Sequence, residues 1–374
     1  MTMTALARHH RPSRRPRVLL AGVAATALAL TGCANPGDDG STTSADSGTG
    51  QQTVKSAEPS TANGGDGCTL ETYGGDGVEK LDLAGAVVGF SQSEPDAAAF
   101  RAAETQSIRD EAAKIGVKSL LVTNANAELP KQISDIQSML NQGAQFLIVA
   151  PVNSDGLDPA LAAAREKGVP VLTIDRKITN EPCTDYLTFI GSDFLDQGKR
   201  AAEEMAKATD GKANVAILLG SSGNNVTDQR TKGFVDEVAA NSPDLKIVAQ
   251  QTGNFAREEG QSVTEQLLQS NPEIDAIYAE NDEMALGAVT AIMAAGKQPG
   301  TDVKIVSVDG TANAVQAVVD GQINAVVESN PRFGPLAFST VMDFYAGKAI
   351  PEDIIIQDDL YTPDNAESKL GNAF

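Results

Sequence analysis

The sequence VPVLTIDRK at residues 169–177 contains a short apolar run that stops at an acid and a base. Gly168 precedes the run. A continuous apolar run of this length is typical of a strand that is covered on both faces of a parallel sheet. The carboxyl end of such a strand is where ligands bind in open α/β sheets. We therefore expect Asp175 and Arg176 to lie at a ligand-binding edge.

Asp175 and Arg176 place complementary hydrogen-bonding groups in two successive residues. A carboxylate accepts hydrogen bonds, whereas the planar guanidinium carries five N–H donors. Because each charge can be balanced by the other, the pair suits a neutral, hydroxyl-rich ligand better than a charged one. The two residues could also form only a salt bridge at the end of the strand, and the pair alone does not decide between these interpretations.

Around this stretch, from residue 81 onward, short apolar runs alternate with amphipathic segments. Strand–helix alternation of this kind predicts parallel sheets with right-handed crossovers. The runs fall into two series of five, which predicts an α/β protein with two similar lobes. We expect strands at residues 84–90, 117–123, 145–150, 169–174 and 186–190, and then at 214–219, 246–250, 276–279, 304–308 and 324–328.

The first 33 residues have the features of an export signal. Five arginines and no acid accompany an apolar run at 18–30, and small residues then lead to Cys33. This order is typical of a signal peptide. The tetrad LTGC at 30–33 resembles the lipobox of bacterial lipoproteins, in which the cysteine becomes the lipidated first residue. We therefore expect an extracytoplasmic protein whose only membrane attachment is a lipid anchor at Cys33.

After the signal peptide, Gly, Ser, Thr, Asp and Asn dominate the sequence. Such a segment buries too little apolar surface to offset the entropy lost on ordering, so we expect a flexible tether over residues 34–80. The pair Arg14 and Arg15 hints at a twin-arginine export signal, but Pro16 and Arg17 fit that pattern poorly, which favours the Sec route.

Charge and histidine content exclude several functions. The formal net charge is −21, and removal of the arginine-rich signal peptide makes the mature chain more acidic still. A chain this acidic does not bind nucleic acid by neutralising phosphates. Both histidines, His9 and His10, lie in the signal peptide. The mature chain therefore has no Ser-His-Asp or Cys-His catalysis and no His-ligated metal site, and we expect no enzyme activity, metal or cofactor.

Two cysteines, Cys68 and Cys183, remain in the mature chain besides Cys33. Outside the cytoplasm, two such cysteines form a disulfide more often than a redox or metal site. We therefore expect a Cys68–Cys183 bridge between the end of the tether and the loop that follows the Asp175-Arg176 strand.

Polar and aromatic residues follow most of the expected strands, where a ligand crevice would form. Carboxylates can accept hydrogen bonds from adjacent hydroxyls, arginines can donate to hydroxyl and ring oxygens, and phenylalanine rings can cover the C–H face of a sugar. Together these groups favour a polyol ligand. The candidate ligand-binding residues are Ser91, Gln92, Phe100, Arg101, Glu104, Asp175, Arg176, Arg230, Phe255, Asn281, Asp309 and Glu328.

Some of these patterns have simpler explanations. Arg101 and Glu104 are spaced i, i+3 and could be an ion pair on a helix surface. The sequence GSSG at 220–223 could be a phosphate-binding loop, but no Gly-Lys-Ser/Thr follows, which favours an ordinary loop. We favour ligand contact for Arg101 and Glu104 because of the motifs that surround them.

Several motifs occur in order along the chain. They are VGFSQ (88–92), FRAAET (100–105), IDR (174–176), ENDEMALG (280–287), VDG (308–310) and GQINAVVE (321–328). This set resembles the type I periplasmic sugar-binding proteins, the ribose/galactose-type solute receptors of ABC importers, and within them the galactofuranose-binding members. Those members have Trp at the position of Phe100, and this sequence contains no Trp, which leaves the identity of the sugar open.

The resemblance implies two Rossmann-like lobes with parallel sheets, joined by three crossovers that act as a hinge. It places residues 81–191 and 329–356 in the N-terminal lobe, and residues 192–328 and 357–374 in the C-terminal lobe. It implies sugar contacts at Arg101, Glu104, Asp175, Arg176, Arg230, Asn281, Asp309 and Glu328.

The function implied is capture of a monosaccharide, a furanose or pentose, by a monomeric lipoprotein that delivers it to the permease of an ABC importer. A sugar sensor for a membrane signalling partner would use the same binding site. A LacI-type regulator shares the fold but needs a DNA-binding helix-turn-helix at its N-terminus, where this chain has a signal peptide. Paired carboxylates could also support a glycoside hydrolase, but acids matched by arginines favour binding over chemistry.

Overall fold

A computed structural model describes residues 52–58 and 67–374 of the chain. Each of the ten expected strands overlaps an observed one, and three further strands occur near the ends of the described part. The strands are β1 (Val54–Glu58), β2 (Val87–Gln92), β3 (Ser119–Asn124), β4 (Phe146–Val149), β5 (Val171–Ile174), β6 (Phe189–Gly191), β7 (Ala213–Leu219), β8 (Leu245–Thr252), β9 (Ala276–Ala279), β10 (Lys304–Asp309), β11 (Ala325–Glu328), β12 (Asp353–Ile356) and β13 (Leu360–Tyr361).

Helices separate most of these strands, as the alternation predicts. The helices are α1 (Ala99–Ile115), α2 (Leu129–Asn141), α3 (Asp158–Glu166), α4 (Phe194–Ala208), α5 (Asn225–Asn241), α6 (Arg257–Ser270), α7 (Asp282–Ala294), α8 (Ala312–Val319), α9 (Gly334–Tyr345) and α10 (Ala366–Lys369), followed by a 3₁₀ turn at Leu370–Asn372.

The strands form two sheets. The first has the order β1-β12-β6-β5-β4-β2-β3, and the second has the order β13-β11-β10-β9-β7-β8. All neighbouring strands run parallel except β1 with β12 and β13 with β11. We call the first sheet with its helices the first lobe, and the second sheet with its helices the second lobe. The expected fold class, two α/β lobes with parallel sheets, is confirmed.

Both faces of each sheet are buried, which explains the continuous apolar runs. In β4, Phe146 and Ile148 pack into one apolar cluster, whereas Leu147 and Val149 pack into another on the opposite face. Successive side chains of a strand point to opposite faces, so a strand with helices on both sides must be apolar throughout. The run that ends at Asp175 obeys the same rule.

Three connections join the lobes. They follow β6, β11 and β12. The Ser192 hydroxyl in the first connection donates to Asp358 Oδ1 in the third at 3.0 Å, and it lies 3.5 Å from the Ser329 hydroxyl in the second. All three side chains are buried. A polar network therefore ties the three crossovers together at the point where the lobes would rotate.

The expectation of a flexible tether over residues 34–80 is wrong for part of that stretch. Residues 54–58 form β1, which pairs antiparallel with β12. Tyr73 is buried, and its hydroxyl accepts a hydrogen bond from the Val171 backbone N–H at 3.1 Å. A segment poor in large apolar side chains can still be ordered when its backbone pairs with the free edge of a sheet, which composition does not reveal.

A disulfide joins Cys68 to Cys183, and the two cysteines are 115 residues apart in sequence. It attaches the segment that precedes β2 to the loop between β5 and β6. The expected signal peptide and Cys33 lie outside the residues that the structure describes. Within the described part of the chain, no helix combines the length and the apolar character needed to cross a membrane.

Candidate functional site

A cleft of about 1020 Å³ lies at the carboxyl ends of the strands of both sheets. Side chains from both lobes line it. Arg176 of the first lobe and Asp309 of the second face this same cleft, so strand ends far apart in sequence converge on one site. Eight of the twelve candidate residues line the cleft: Phe100, Arg101, Asp175, Arg176, Arg230, Phe255, Asn281 and Asp309.

On the first lobe, Arg101 of α1 reaches the acid that ends β5. Arg101 Nη1 donates to Asp175 Oδ2 at 2.7 Å and to Glu104 Oε2 at 2.9 Å. Arg176 Nη1 donates to backbone carbonyl oxygens of the β4–α3 loop, 3.2 Å from Pro151 and 3.0 Å from Val152. These bonds hold both guanidinium groups in place before a ligand binds. Less side-chain conformational entropy is therefore lost on binding.

Glu94 bridges these two arginines, and the sequence reasoning missed it. Its Oε1 accepts from Arg176 Nη2 at 2.7 Å, and its Oε2 accepts from Arg101 Nε at 3.0 Å. Burial raises the pKa of Glu94, but the charges of Arg176 and Arg101 outweigh that effect and bring the pKa to about 2. The sequence feature that could have identified Glu94 is its position two residues after the end of β2.

On the second lobe, Arg230 of α5 lines the cleft with a largely buried side chain. Its Nε donates to Gln197 Oε1 at 2.9 Å, its Nη1 donates to the Glu280 carbonyl oxygen at 2.5 Å, and its Nη2 lies 3.5 Å from Asp309 Oδ1. Burial raises the pKa of Asp309 well above its ordinary range, and the charge of Arg230 only partly opposes this. Arg230 is therefore the main charge that opposes the effect of burial on the Asp309 carboxyl.

Asn281 has both a structural and a site role. Its Oδ1 accepts from the Met284 N–H and caps the start of α7, while its Nδ2 donates to the Phe255 carbonyl oxygen at 3.1 Å. The amide therefore fixes the loop that carries Phe255. Asn281 also lines the cleft.

Five non-glycine residues that line the cleft have positive φ, and three of them are candidate ligand-binding residues. Asp175, Phe255 and Asp309 have φ of 63°, 60° and 140°. Positive φ is uncommon for residues other than glycine and is found disproportionately at ligand sites, where surrounding contacts hold it. At Asp309 the holding contact is the buried carboxylate of Asp282, which accepts hydrogen bonds from the next two backbone N–H groups at 2.9 and 2.7 Å.

Two aromatic rings form walls of the cleft. The Phe255 ring of the second lobe lies 6.0 Å from the Arg176 guanidinium carbon of the first lobe. It packs directly on the backbone of Gly220, where a Cβ would come within 2.0 Å of the ring. Phe100 of the first lobe lies under the Arg101 guanidinium at 5.0 Å. Such faces can cover the C–H surface of a sugar ring.

Four candidate residues do not line the cleft, and their side chains bind other groups of the protein. The Ser91 hydroxyl accepts from Gln132 Nε2 at 3.2 Å, and Gln92 Nε2 donates to Glu104 Oε2 at 2.9 Å. Glu328 accepts from Tyr361 Oη at 3.1 Å, so the short strand β13 captures the carboxylate. The four residues are Ser91, Gln92, Glu104 and Glu328. Of these, Glu104 bonds Arg101 of the cleft directly, and Gln92 bonds Glu104.

Two buried polar atoms at the site lack a hydrogen-bond partner among the described residues. They are Arg176 Nε, which lies 3.8 Å from Asp175 Oδ2, and Glu104 Oε1. Buried donors without a partner are rare in folded proteins, and each requires an explanation. At Arg176 Nε the nearby charge of Asp175 stabilises the donor without a hydrogen bond.

Three acids that line the cleft are each paired with arginine. Glu94 pairs with Arg101 and Arg176, Asp175 pairs with Arg101, and Asp309 lies 3.5 Å from Arg230. Within the described residues there is no cluster of acids, histidines or cysteines that could hold a metal ion. The arrangement therefore suits an uncharged ligand with many hydroxyl groups.

A family model described as "Periplasmic binding protein domain" matches residues 88–349, a span that contains all eight residues noted above as lining the cleft. The chain belongs to this family. Its relatives are solute-binding proteins and not enzymes.

Individual relatives of this periplasmic binding protein bind sugars according to their names. The galactofuranose-binding protein YtfQ of Escherichia coli (strain K12) is 34% identical over 288 residues, which cover 76% of this chain and 90% of the relative. A structure from Mycobacterium smegmatis in complex with β-D-fucofuranose is 39% identical, with a TM-score of 0.73 and coverage of 77% and 94%.

A third relative is the periplasmic binding protein of the arabinose ABC transporter from Shewanella sp. ANA-3, solved with α- and β-L-arabinofuranose. It is 35% identical, with a TM-score of 0.73 and coverage of 76% of this chain and 94% of that one. Periplasmic binding proteins that hold five-membered sugar rings thus share most of the length and the fold of this chain.

Proposed function

We propose that this protein captures a monosaccharide in its furanose form outside the cytoplasm and delivers it to the permease of an ABC importer. The observation that carries the proposal is the convergence of three arginines and three carboxylates, drawn from both lobes, on one cleft with two aromatic walls. The furanose class is supported by a relative named for galactofuranose binding and by two relatives solved with fucofuranose and with arabinofuranose.

A panel of reducing sugars tests this proposal. L-arabinose, D-galactose, D-fucose and D-ribose interconvert between pyranose and furanose rings in water, so each presents the protein with both. A true ligand at a hundredfold excess over its dissociation constant stabilises the folded protein by about 2.7 kcal/mol, which thermal denaturation detects. Methyl pyranosides of the same sugars, which cannot open, serve as controls. A chain that no free sugar stabilises would not have this function.

Closure around the sugar is supported by hydrogen bonds between loops of the two lobes. The Ser154 N–H donates to the Gly223 carbonyl oxygen at 2.9 Å, and the Asn225 N–H donates to the Ser154 hydroxyl at 3.1 Å. The Lys177 N–H donates to Asn225 Oδ1 at 3.0 Å. The glycine-rich loop at 220–223 therefore has a role in this proposal as one side of an inter-lobe contact and not as a phosphate loop.

The double replacement Ser154→Ala with Asn225→Ala is expected to weaken sugar binding by about tenfold, because each neutral hydrogen bond contributes about 0.5–1.5 kcal/mol. The melting temperature without sugar should change little, since these bonds form only where the lobes meet. Isothermal titration calorimetry measures the affinity.

The control for this pair is Asn180→Ala, which removes a hydrogen bond to Asp158 within the first lobe. Unchanged affinity is expected for it. If the double variant bound the sugar as well as wild type does, closure would not involve this contact.

We also propose attachment to the outer face of the cell membrane through a lipid on Cys33. Replacement Cys33→Ala is expected to abolish labelling by a palmitate analogue and to move the protein from the membrane fraction to the soluble extracytoplasmic fraction, because the lipid would be its only anchor. Fractionation with immunoblotting measures this. Continued sedimentation of the unlabelled variant with membranes would contradict the anchor, and wild type run in parallel gives the reference.

A further inference from the structure

Gln197 of α4 contacts a cleft arginine on one side and the lobe connections on the other. Its Oε1 accepts from Arg230 Nε at 2.9 Å. Its Nε2 donates to Asp358 Oδ2 at 2.7 Å and to the Glu328 carbonyl oxygen at 3.2 Å. The side chain is 1% exposed and does not line the cleft.

The chemistry of the three partners allows only one orientation of this amide. Arginine can only donate, so the amide oxygen must face Arg230. The carboxylate of Asp358 and the carbonyl group of Glu328 can accept, so the amide nitrogen must face them. All hydrogen-bonding groups of Gln197 except one oxygen lone pair are then used, and the geometry of Arg230 is fixed relative to both partners.

From Gln197 the contacts continue into all three crossovers. Asp358 belongs to the third, and its Oδ1 accepts from the Ser192 hydroxyl of the first at 3.0 Å. Glu328 ends β11, directly before the second, and Ser329 of that crossover lies 3.5 Å from Ser192. All side chains in this series of contacts are buried, so water does not compete for their hydrogen bonds.

We propose that Gln197 is a positioning residue that couples Arg230 in the cleft to the hinge, which rests on the proposed sugar-binding function. Rotation of the lobes changes the backbone of the crossovers and so moves Asp358. Gln197 transmits that movement to Arg230. In only one arrangement of the hinge does the Arg230 guanidinium have the orientation that fits the sugar. The two sites are then linked by a continuous set of contacts that both can bias.

Replacement Gln197→Met tests this, because it keeps the length of the side chain and removes all three hydrogen bonds. We expect about tenfold weaker sugar binding by calorimetry on the full mature chain, the loss typical of one hydrogen bond to a charged group. Asp358→Ala, which touches no cleft residue directly, should weaken binding by a similar factor. The double variant should lose no more than the larger single effect, because both changes break the same chain of contacts.

Arg200→Ala is the matched control. Arg200 lies on the same helix and donates to the backbone carbonyl oxygens of Asp358 and Asp359 at 3.1 and 2.8 Å, so it also holds the third crossover, but it does not contact Arg230. Sugar affinity within about twofold of wild type is expected for it. If Asp358→Ala does not fold, Asp358→Asn, which keeps the shape and one acceptor, should give a smaller loss.

Three results would overturn the coupling. They are wild-type affinity in Gln197→Met, fully additive losses in the double variant, and an equal loss in Arg200→Ala. A wild-type chain that binds no sugar of the panel would instead overturn the proposed function itself, so the two failures are distinguishable.

Discussion

Replacement Arg230→Ala is expected to weaken sugar binding by at least about 100-fold. Truncating one partner of a buried, hydrogen-bonded charge pair costs about 2–5 kcal/mol, much of it because the other charge is left unpaired. Here the partner is Asp309. Burial raises the pKa of its carboxyl, and the charge of Arg230 is the main effect that lowers it. Without the guanidinium the pKa of the Asp309 carboxyl is expected to rise further, and the cleft loses the donors of Arg230.

Calorimetric titration with the sugar selected from the panel measures this loss. Arg257→Ala is the matched control, because Arg257 is an arginine of the second lobe at the cleft rim, but its side chain is 44% exposed and is paired with Glu283 at 2.8 Å. Exposed pairs contribute about 0–1 kcal/mol, so a change within about threefold is expected. Equal losses of affinity in the two variants would show that the burial and pairing of Arg230 do not determine its contribution to sugar binding.

Removal of the disulfide is the second change with a large expected effect. The double replacement Cys68→Ala with Cys183→Ala opens a loop of 115 residues. Cross-links over loops of this length stabilise folded proteins by about 3–5 kcal/mol in the chain-entropy account. We expect the melting temperature to fall by about 5–10 °C. Alanine suits both sites because the cysteines are buried and alanine adds no polar group there.

Scanning calorimetry with and without a reducing agent measures this effect. Reduction should lower the melting temperature of wild type to that of the double variant, and it should leave the variant unchanged. Sugar affinity at 25 °C should be retained, because neither cysteine lines the cleft. Identical melting of oxidised wild type and the variant would mean that the bridge does not stabilise the fold.

The fold could be predicted because it depends on local patterns. A strand buried on both faces must be apolar along its whole length, as β4 is, and a run of that kind is visible without any knowledge of its neighbours. The strand β1 escaped prediction for the opposite reason. It is polar, with mostly exposed side chains, and it is held by backbone pairing with β12, a partner about 300 residues away in sequence.

The cleft residues could be predicted where the backbone itself places them. Asp175 and Asp309 come at the ends of β5 and β10, and the ends of parallel strands share one edge of a sheet. Glu328 also ends a strand, yet Tyr361 and the Asp359 backbone bind its carboxylate. The position of a residue along a strand is a local property, but the partner that its side chain finds is not.

The sequence by itself thus determined three things: the order of strands and helices, the sheet edge at which polar groups gather, and the combination of acids and arginines there. Each of these follows from residues that are neighbours in the chain. Only the tertiary structure decided that Glu94 bridges two arginines and that Tyr361 binds the carboxylate of Glu328. It also decided that Gln197 forms a hydrogen bond with Asp358, 161 residues away in sequence. Such contacts depend on how two folded lobes meet, and side-chain hydrogen bonds are satisfied by whichever group lies nearest in space.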